Sequence, residues 1–354
     1  MNCVIYSSLS DSNHEHDGEL KQQQACFEPP PPPDLAFVRT VPGLNPDLHH
    51  PSANVALSEH RSPQPTLRIG KYLILDQLHG STLYKSLNIQ TQEEFVCKIV
   101  NNIDSHQIFA AHYRLDSHDH INEIQEVLIG ETKTYIFFPP SYGDLHSYMR
   151  TRRRLRESEA QRLFAQVAAA VAHCHENRVV LRDLKLRKFV FKDPERTQLK
   201  LESLEDAVIL DDDDDSLCDK HGCPAYVSPE ILTSSNQYSG CAADMWSMGV
   251  MLYTILVGRY PFHDSEPSLL FAKIRRSYLA VPDWLSSRAR CLIRGLLRPN
   301  PSERLTAADA LSHPWLQSEL PDIPFKLESK LSDQTVPTGA MLQPPEPSNI
   351  HCFK

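Results

Sequence analysis

The 354-residue sequence has only 12 glycines and lacks any long run of apolar residues. No stretch approaches the roughly 18 consecutive apolar residues of a membrane-spanning helix, so no such helix is expected. Lysine and arginine together number 36, against 45 aspartates and glutamates, so no basic excess is available for tracking a phosphate backbone. We therefore expect neither a membrane nor a nucleic acid as a direct partner.

We expect no secretory signal either, because no basic segment precedes an apolar core near Met1. Its nine cysteines are odd in number and scattered, which favours a reduced intracellular protein over a disulfide framework. Two groups of cysteine and histidine are poor candidates for zinc, since adjacent helix residues face different sides and the second group has no apparent fourth ligand. These groups are His173, Cys174 and His175, and Cys218, His221 and Cys223.

Residues 1–66 and 317–354 are polar and contain many prolines, and they offer too little apolar surface to offset the entropy lost on ordering. We predict both segments to be disordered tails. The run Pro29–Pro33 is predicted to form a polyproline II helix, either as a plain spacer, which is the simpler interpretation, or as a ligand for SH3 or WW domains.

The pattern of strands and helices predicted for residues 67–316 indicates one folded α+β domain. Tyr72–Leu75, Thr82–Asn88 and Glu94–Val100 read as short strands with turn residues between them, and residues 127–138 read as a hairpin. Ser158–Glu176 is predicted to be a helix, because apolar residues recur there at helical spacing.

The stretch Leu181–Lys188 is close to the catalytic loop of protein kinases, H-R-D-L-x-x-x-x-N. Asp183 stands at the position of the catalytic base, and Lys185 follows two residues later. Lys188 replaces the asparagine that holds magnesium, and Ser203, in the sequence S-L-E, replaces the aspartate of D-F-G.

These replacements act against magnesium, which prefers hard oxygen ligands. A serine hydroxyl is a poor substitute for a carboxylate, and an ammonium repels the cation, since two unit charges at ~4 Å and an effective dielectric of ~20 interact by roughly 4 kcal/mol. The sequence thus predicts a kinase scaffold whose metal site is lost. The alternative is that Glu205 or Asp206 reaches the metal instead.

Phe95–Ile99 matches the kinase motif V-A-I-K and places Lys98 at the position that pairs with phosphates. The following helix should supply a glutamate partner, but residues 101–120 contain none. Lys98 is therefore as readily a solvated strand lysine as a ligand for a nucleotide. The helix, at Ser105–Leu115, is expected to be short or mobile.

The glycine-rich loop is degraded as well, because Asp76, Leu78 and Ser81 stand where the three glycines should be. Side chains at these positions hinder the close approach of backbone amides to phosphates. We expect no cofactor, or at most weak, magnesium-independent ATP binding by the remnants of the nucleotide site: Lys98, Asp183 and Lys185.

Three further segments accompany S-L-E: Asp219–Glu230, Gly258–Asp264 and, in the tail, Ser332–Pro337. With the catalytic loop, they resemble the Tribbles family of pseudokinases over about residues 69–316 and again in the tail. The resemblance implies a bilobal protein-kinase fold with a small β-rich lobe and a larger helical lobe. It also implies structural roles for three residues, with Asp244 holding the catalytic-loop backbone and Arg304 pairing with Glu230.

The resemblance implies a scaffold rather than a phosphotransferase. In that family the tail peptide recruits a RING ubiquitin ligase of the constitutive-photomorphogenic type, while the pseudokinase domain holds a degron of C/EBP-type transcription factors. By this resemblance, the residues expected to contact the ligase are Asp333, Gln334, Val336 and Pro337. Thr335 and Thr338 depart from the family pattern, which weakens the expected binding without changing its mode.

A second family motif, which binds MAP kinase kinases, resembles the end of the domain at His313, Pro314, Trp315 and Leu316, although in an ordinary kinase these residues simply close the large lobe. Akt is a further partner that the resemblance implies, and the implied location is the cytoplasm and nucleus. Two rival functions stay open: a weak, metal-independent protein kinase, and a purely competitive kinase inhibitor that needs no ligase.

Overall fold

A computed structural model describes residues 38–40, 67–78, 83–212, 214–233 and 237–318. Most of the two predicted tails lies outside the described residues, including the proline run Pro29–Pro33 and the whole ligase motif, Asp333, Gln334, Val336 and Pro337. Ser81 and the centre of the degraded glycine loop also lie outside them.

The small lobe is a twisted sheet whose strands alternate buried and exposed residues, as Tyr72 and Ile74 do on one face of their strand. In the described residues the strand order is β1-β6-β7-β5-β4-β3-β2. The strands are β1 Val38–Thr40, β2 Leu67–Ile69, β3 Tyr72–Gln77, β4 Leu83–Asn88, β5 Glu94–Asn101, β6 Glu126–Ile129 and β7 Lys133–Phe138.

Strand β1 is not expected from the sequence, because it lies within the segment 1–66 predicted to be disordered. It pairs in parallel with β6, with Val38 opposite Val127. Such pairing depends on the free edge that β6 offers rather than on any local pattern in three residues. The strands predicted at Tyr72–Leu75, Thr82–Asn88 and Glu94–Val100 are confirmed, each within two residues at either end.

Helix α1, Asn102–Arg114, packs against β5 and β7 and buries Ile108 and Phe109. It has 13 residues and begins three positions before the segment Ser105–Leu115, so the expectation of a short helix is wrong. The difference arises because α1 continues directly from β5, with Asn101 as its N-cap. The side chain of Gln107 donates to the carbonyl of Ala207 at 3.2 Å and ties the helix to the segment after S-L-E.

The large lobe is helical, and its core surrounds α5, which is 83% buried. By length and composition α5 could cross a membrane, but its burial within the lobe accounts for its apolar character. The helices are α2 Leu145–Arg152, α3 Glu157–Glu176, α4 Pro229–Thr233, α5 Gly240–Val257, α6 Pro267–Arg276, α7 Ser287–Leu296, α8 Ala307–Ser312 and α9 Pro314–Gln317.

Short strand pairs lie on either side of the catalytic loop and in the activation segment. Val179–Val180, before the catalytic loop, pairs with Val208–Ile209, after S-L-E. Between the catalytic loop and S-L-E, Phe189–Phe191 pairs with Leu199–Leu201. The strands are β8 Val179–Val180, β9 Phe189–Phe191, β10 Leu199–Leu201, β11 Val208–Ile209, β12 Ser216–Leu217 and β13 Tyr238–Ser239. The predicted α+β, bilobal protein-kinase fold is therefore confirmed.

Candidate functional site

The catalytic loop is held from beneath by the core helix α5. The carboxylate of Asp244, which is buried in α5, accepts hydrogen bonds from the backbone N–H groups of Leu181 at 2.8 Å and Arg182 at 2.9 Å. His175 Nε2 lies 3.0 Å from the same carboxylate. Arg182 adopts a left-handed backbone with φ of 61°, and this backbone requires such support. The contact with the loop backbone is the one that the resemblance implies for Asp244.

Lys98 is only 2% exposed, and its ammonium forms an ion pair with the carboxylate of Glu205. The interpretation of Lys98 as a solvated strand lysine is therefore wrong. Its partner comes from S-L-E and not from the helix, since α1 contains no glutamate. The sequence did contain a signal for this ion pair: Glu205 stands at the third position of the motif that replaces D-F-G, and that motif lies beside the nucleotide lysine in the kinase fold.

Lys188 pairs with two carboxylates. Its Nζ lies 2.9 Å from Glu205 Oε1 and 2.7 Å from Asp206 Oδ2. Burial disfavours the charged form of this side chain, but the charges of Glu205 and Asp206 outweigh burial and raise the pKa of Lys188. The ammonium thus stays charged at the position where kinases carry a magnesium-binding asparagine.

The two carboxylates are kept ionised by the same contacts. Burial alone would raise the pKa of Glu205, but Lys188 and Lys98 together lower it. For Asp206, the hydrogen bond from His221, whose Nε2 lies 3.2 Å away, and the charge of Lys188 outweigh burial and depress the pKa well below its usual range. We call these linked side chains the internal charge network: Lys98, Glu205, Lys188, Asp206 and His221.

This arrangement does not fit a magnesium ion. Ser203 is 3% exposed, and in the described part of the chain its hydroxyl has no hydrogen-bond partner. The cavity between Asp183, Ser203 and Asp206 measures about 10 Å³, which is barely enough for one water molecule. Magnesium usually keeps several waters and needs near-octahedral oxygen ligands. The alternative, in which Glu205 or Asp206 holds the metal, is disfavoured because the ammonium of Lys188 already contacts both carboxylates.

Asp183, at the position of the catalytic base, is buried, and its carboxylate contacts the ammonium of Lys185. The nucleotide-site remnants thus form two groups, with Asp183 and Lys185 in one and Lys98 in the internal charge network.

Glu230 and Arg304 lie far below the site, in the large lobe. The guanidinium of Arg304 donates to both carboxylate oxygens of Glu230, at 2.6 and 3.0 Å, and also to the carbonyl of Arg298. This is the buried pair that the resemblance implies, and it ties the end of the activation segment to the core.

The segment His313, Pro314, Trp315 and Leu316 begins and forms most of α9. Trp315 is fully buried, and its Nε1 donates to Glu157 Oε2 at 3.1 Å. The ring nitrogen Nδ1 of His313 accepts from the backbone N–H of Trp315 and caps the helix. Any protein that docks at this motif therefore meets Pro314 and its exposed surroundings, and not the indole of Trp315.

Among the described residues, no group of histidine, cysteine, aspartate and glutamate is arranged to hold a metal ion. His173 stacks on His118 with a centroid distance of 4.7 Å, and its Nε2 lies 3.3 Å from the carbonyl of Asp116. His221 contacts Asp206, and no motif in the sequence indicates this contact.

Comparison with known proteins agrees with this geometry. Residues 79–316 match the family model described as protein kinase domain. The chain is 57% identical over 270 residues to Tribbles homolog 2 of Canis lupus familiaris, which covers 76% of this chain and 79% of the relative. It is 55% identical over 276 residues to Tribbles homolog 1 of Homo sapiens, with coverage of 78% and 74%. It is 50% identical over 313 residues to Tribbles homolog 3 of Mus musculus, with coverage of 88% of each chain.

Proposed function

Since the chain belongs to the Tribbles family and carries a protein kinase domain, we propose that it acts as a pseudokinase scaffold and not as a phosphotransferase. The observation that carries this proposal is the internal charge network. The lysine that would bind phosphate and the position that would bind magnesium are each neutralised by carboxylates of the same chain. A nucleotide must first displace Glu205 from Lys98, and that exchange gives it little net gain.

The scaffold is proposed to join a ubiquitin ligase to its substrates. The tail residues Asp333, Gln334, Val336 and Pro337 form the proposed contact with a RING ligase of the constitutive-photomorphogenic type. The folded domain holds C/EBP-type transcription factors near the activation segment. Joining ligase and substrate on one chain makes their encounter intramolecular, which raises apparent affinity by about 10²–10⁴. MAP kinase kinases and Akt are further proposed partners, and the proposed location is the cytoplasm and nucleus.

Titration of ATP into the full chain, monitored by calorimetry with and without magnesium, tests the non-catalytic part of the proposal. We expect either no binding or weak binding that magnesium does not change, because Lys188 opposes the metal. Any residual binding should disappear in Lys98→Met, which identifies the site. Magnesium-dependent micromolar binding would contradict the proposal and favour the weak kinase instead.

The double variant Val336→Ala/Pro337→Ala tests the ligase contact. Pull-down of the ligase should be lost, since the apolar anchor of the peptide is removed while the folded domain is untouched. The matched control is Pro344→Ala/Pro345→Ala, which changes two other positions in the same tail and should leave the pull-down intact. Retained binding in the first variant would remove the tail assignment.

The level of a bound transcription factor distinguishes the scaffold from the rival function, a purely competitive kinase inhibitor. A scaffold loses its effect on the level of a bound transcription factor when the tail motif is changed. An inhibitor that only sequesters kinases keeps its effect in the same variant.

A further inference from the structure

Five arginines lie within seven residues at the end of α2 and in the turn to α3, although the whole chain carries a net charge of −9. We call them the arginine patch: Arg150, Arg152, Arg153, Arg154 and Arg156. All are exposed except Arg154, which is half-buried. Like charges at such short spacing repel one another, so a folded chain gains nothing from collecting them.

The turn that carries the patch is fixed to the core. Leu155 is buried in its middle, and its N–H donates to the carbonyl of Ile255 in α5 at 3.0 Å. The N–H of Arg153 donates to Met149 at 2.7 Å. Gly258 approaches so closely that a Cβ there would lie 2.8 Å from the carbonyl oxygen of Arg153. The arginines therefore project from a rigid backbone.

Two of the arginines occupy positions that local structure disfavours. Arg153 has φ of 68°, a conformation that favours glycine. Arg156 is the N-cap of the 20-residue helix α3, where it makes no side-chain cap and places a cation at the positive end of the helix. Folding alone would favour glycine at the first position and serine or aspartate at the second. The positive charges of Arg153 and Arg156 thus have no explanation in the fold.

The carboxylates closest in sequence neutralise only Arg152 of the patch. Glu159 pairs with Arg152 at 3.2 Å and also accepts from Tyr148. Glu157 is turned inward, where it accepts from Ser286 and Trp315. Within the described ranges, no ion pair joins a carboxylate to Arg150, Arg153 or Arg156. At least three guanidinium groups therefore face solvent with their donors available.

An aromatic side chain borders the patch. Trp284 is 51% exposed, and the guanidinium of Arg154 lies 4.7 Å from the centre of its ring. Arginine and tryptophan are the side chains that most often carry binding energy at protein interfaces. An exposed indole beside the guanidinium of Arg154 adds one apolar contact to the charged contacts that the patch offers.

We propose that the arginine patch and Trp284 together bind an acidic peptide segment of a partner protein, in which carboxylates alternate with large apolar side chains. Carboxylates accept paired hydrogen bonds from guanidinium groups, and an apolar side chain can pack on the indole. This surface goes beyond the proposed function, since it involves neither the internal charge network nor the tail motif.

The charge of the whole chain favours a short peptide over an extended polyanion. A nucleic acid or an anionic membrane extends beyond the patch and meets the field of a protein with net charge −9. A short peptide interacts mainly with charges within a Debye length of about 8–10 Å, where the arginines dominate.

The test uses the full chain and a short fluorescein-labelled peptide of alternating glutamate and leucine, with binding followed by fluorescence anisotropy. The triple variant Arg150→Gln/Arg153→Gln/Arg156→Gln is expected to weaken binding by about tenfold or more. The control variant Arg275→Gln/Arg276→Gln/Arg288→Gln removes three other exposed arginines and changes the net charge equally. It is expected to change binding by about twofold at most.

A second pair of measurements separates the apolar contact from the charges. Trp284→Ser should weaken the glutamate–leucine peptide but not a peptide in which serine replaces leucine. Because no described contact of Arg150, Arg153 or Arg156 stabilises the fold through a carboxylate, the melting temperature of the patch variant should match that of the parent.

Four results would overturn the proposal. They are equal weakening by both triple variants, no binding by the parent chain, a clearly lower melting temperature of the patch variant, and patch-dependent binding of an RNA oligonucleotide or phosphatidylserine vesicle without binding of the peptide.

Discussion

Replacing Lys188 with methionine is expected to lower the free energy of unfolding by about 3 kcal/mol. Removing one partner of a buried ion pair typically costs about 3–5 kcal/mol, because the other charge is left buried and uncompensated. The lower end applies here, since Glu205 keeps Lys98 and Asp206 keeps His221. For a domain of this size, the melting temperature should fall by roughly 6–12 °C, which differential scanning calorimetry measures directly.

The matched control is Lys192→Met, which removes an exposed lysine four residues further along the chain. It should leave the melting temperature nearly unchanged. Adding Asp206→Asn to Lys188→Met should recover part of the loss, because it removes one of the two carboxylates left without their ammonium. Equal melting temperatures for the Lys188 and Lys192 variants would show that the internal charge network contributes nothing to stability.

Lowering the pH from 7 to 4 is expected to destabilise the protein through His112, a histidine on α1 with a buried ring nitrogen. Burial, with a smaller contribution from the nearby charge of Lys98, lowers the pKa of His112 from 6.5 to about 4. Between these values the unfolded chain binds a proton that the folded chain does not, so stability falls as the pH falls. One pKa unit corresponds to about 1.4 kcal/mol, so His112 contributes a loss of about 3 kcal/mol over this range.

Urea unfolding of the parent chain and of His112→Phe, at a series of pH values, measures this contribution. The stability of the variant should depend less steeply on pH between 6.5 and 4, because its side chain does not titrate. His106→Gln is the control, since it removes an exposed histidine from the same helix and should keep the parent's pH dependence. Parallel curves for the parent and His112→Phe would assign the acid sensitivity to other groups.

The architecture could be read from local patterns to a large extent. Apolar alternation marks β3, β4 and β5, and helical spacing of apolar residues marks α3 within one residue of its start. Both patterns repeat within a few residues, so tertiary contacts are not needed to recognise them. By contrast, β1 has only three residues and exists by virtue of the edge of β6, which no local pattern records.

The chemistry of the site was predictable only in part. The replacements at Lys188 and Ser203 are visible in the sequence, and the loss of magnesium binding that they predict follows from the charge of one side chain and the poor ligand chemistry of the other. The burial of Lys98 could not be predicted from the sequence, because its partner Glu205 lies more than a hundred residues away along the chain. Likewise, the sequence leaves open whether Trp315 belongs to a docking motif or closes the large lobe, and packing against α3 places its side chain inside the core.

The ammonium of Lys188 sits between Glu205 and Asp206 as a positive charge that is covalently part of the protein. A metal ion in an ordinary kinase arrives and leaves with its nucleotide, so the loops around it sense the supply of both. Here the cation has a fixed stoichiometry of one and no dissociation constant. Under the proposed function, we therefore expect the shape of the segment that follows S-L-E not to depend on the concentration of free magnesium.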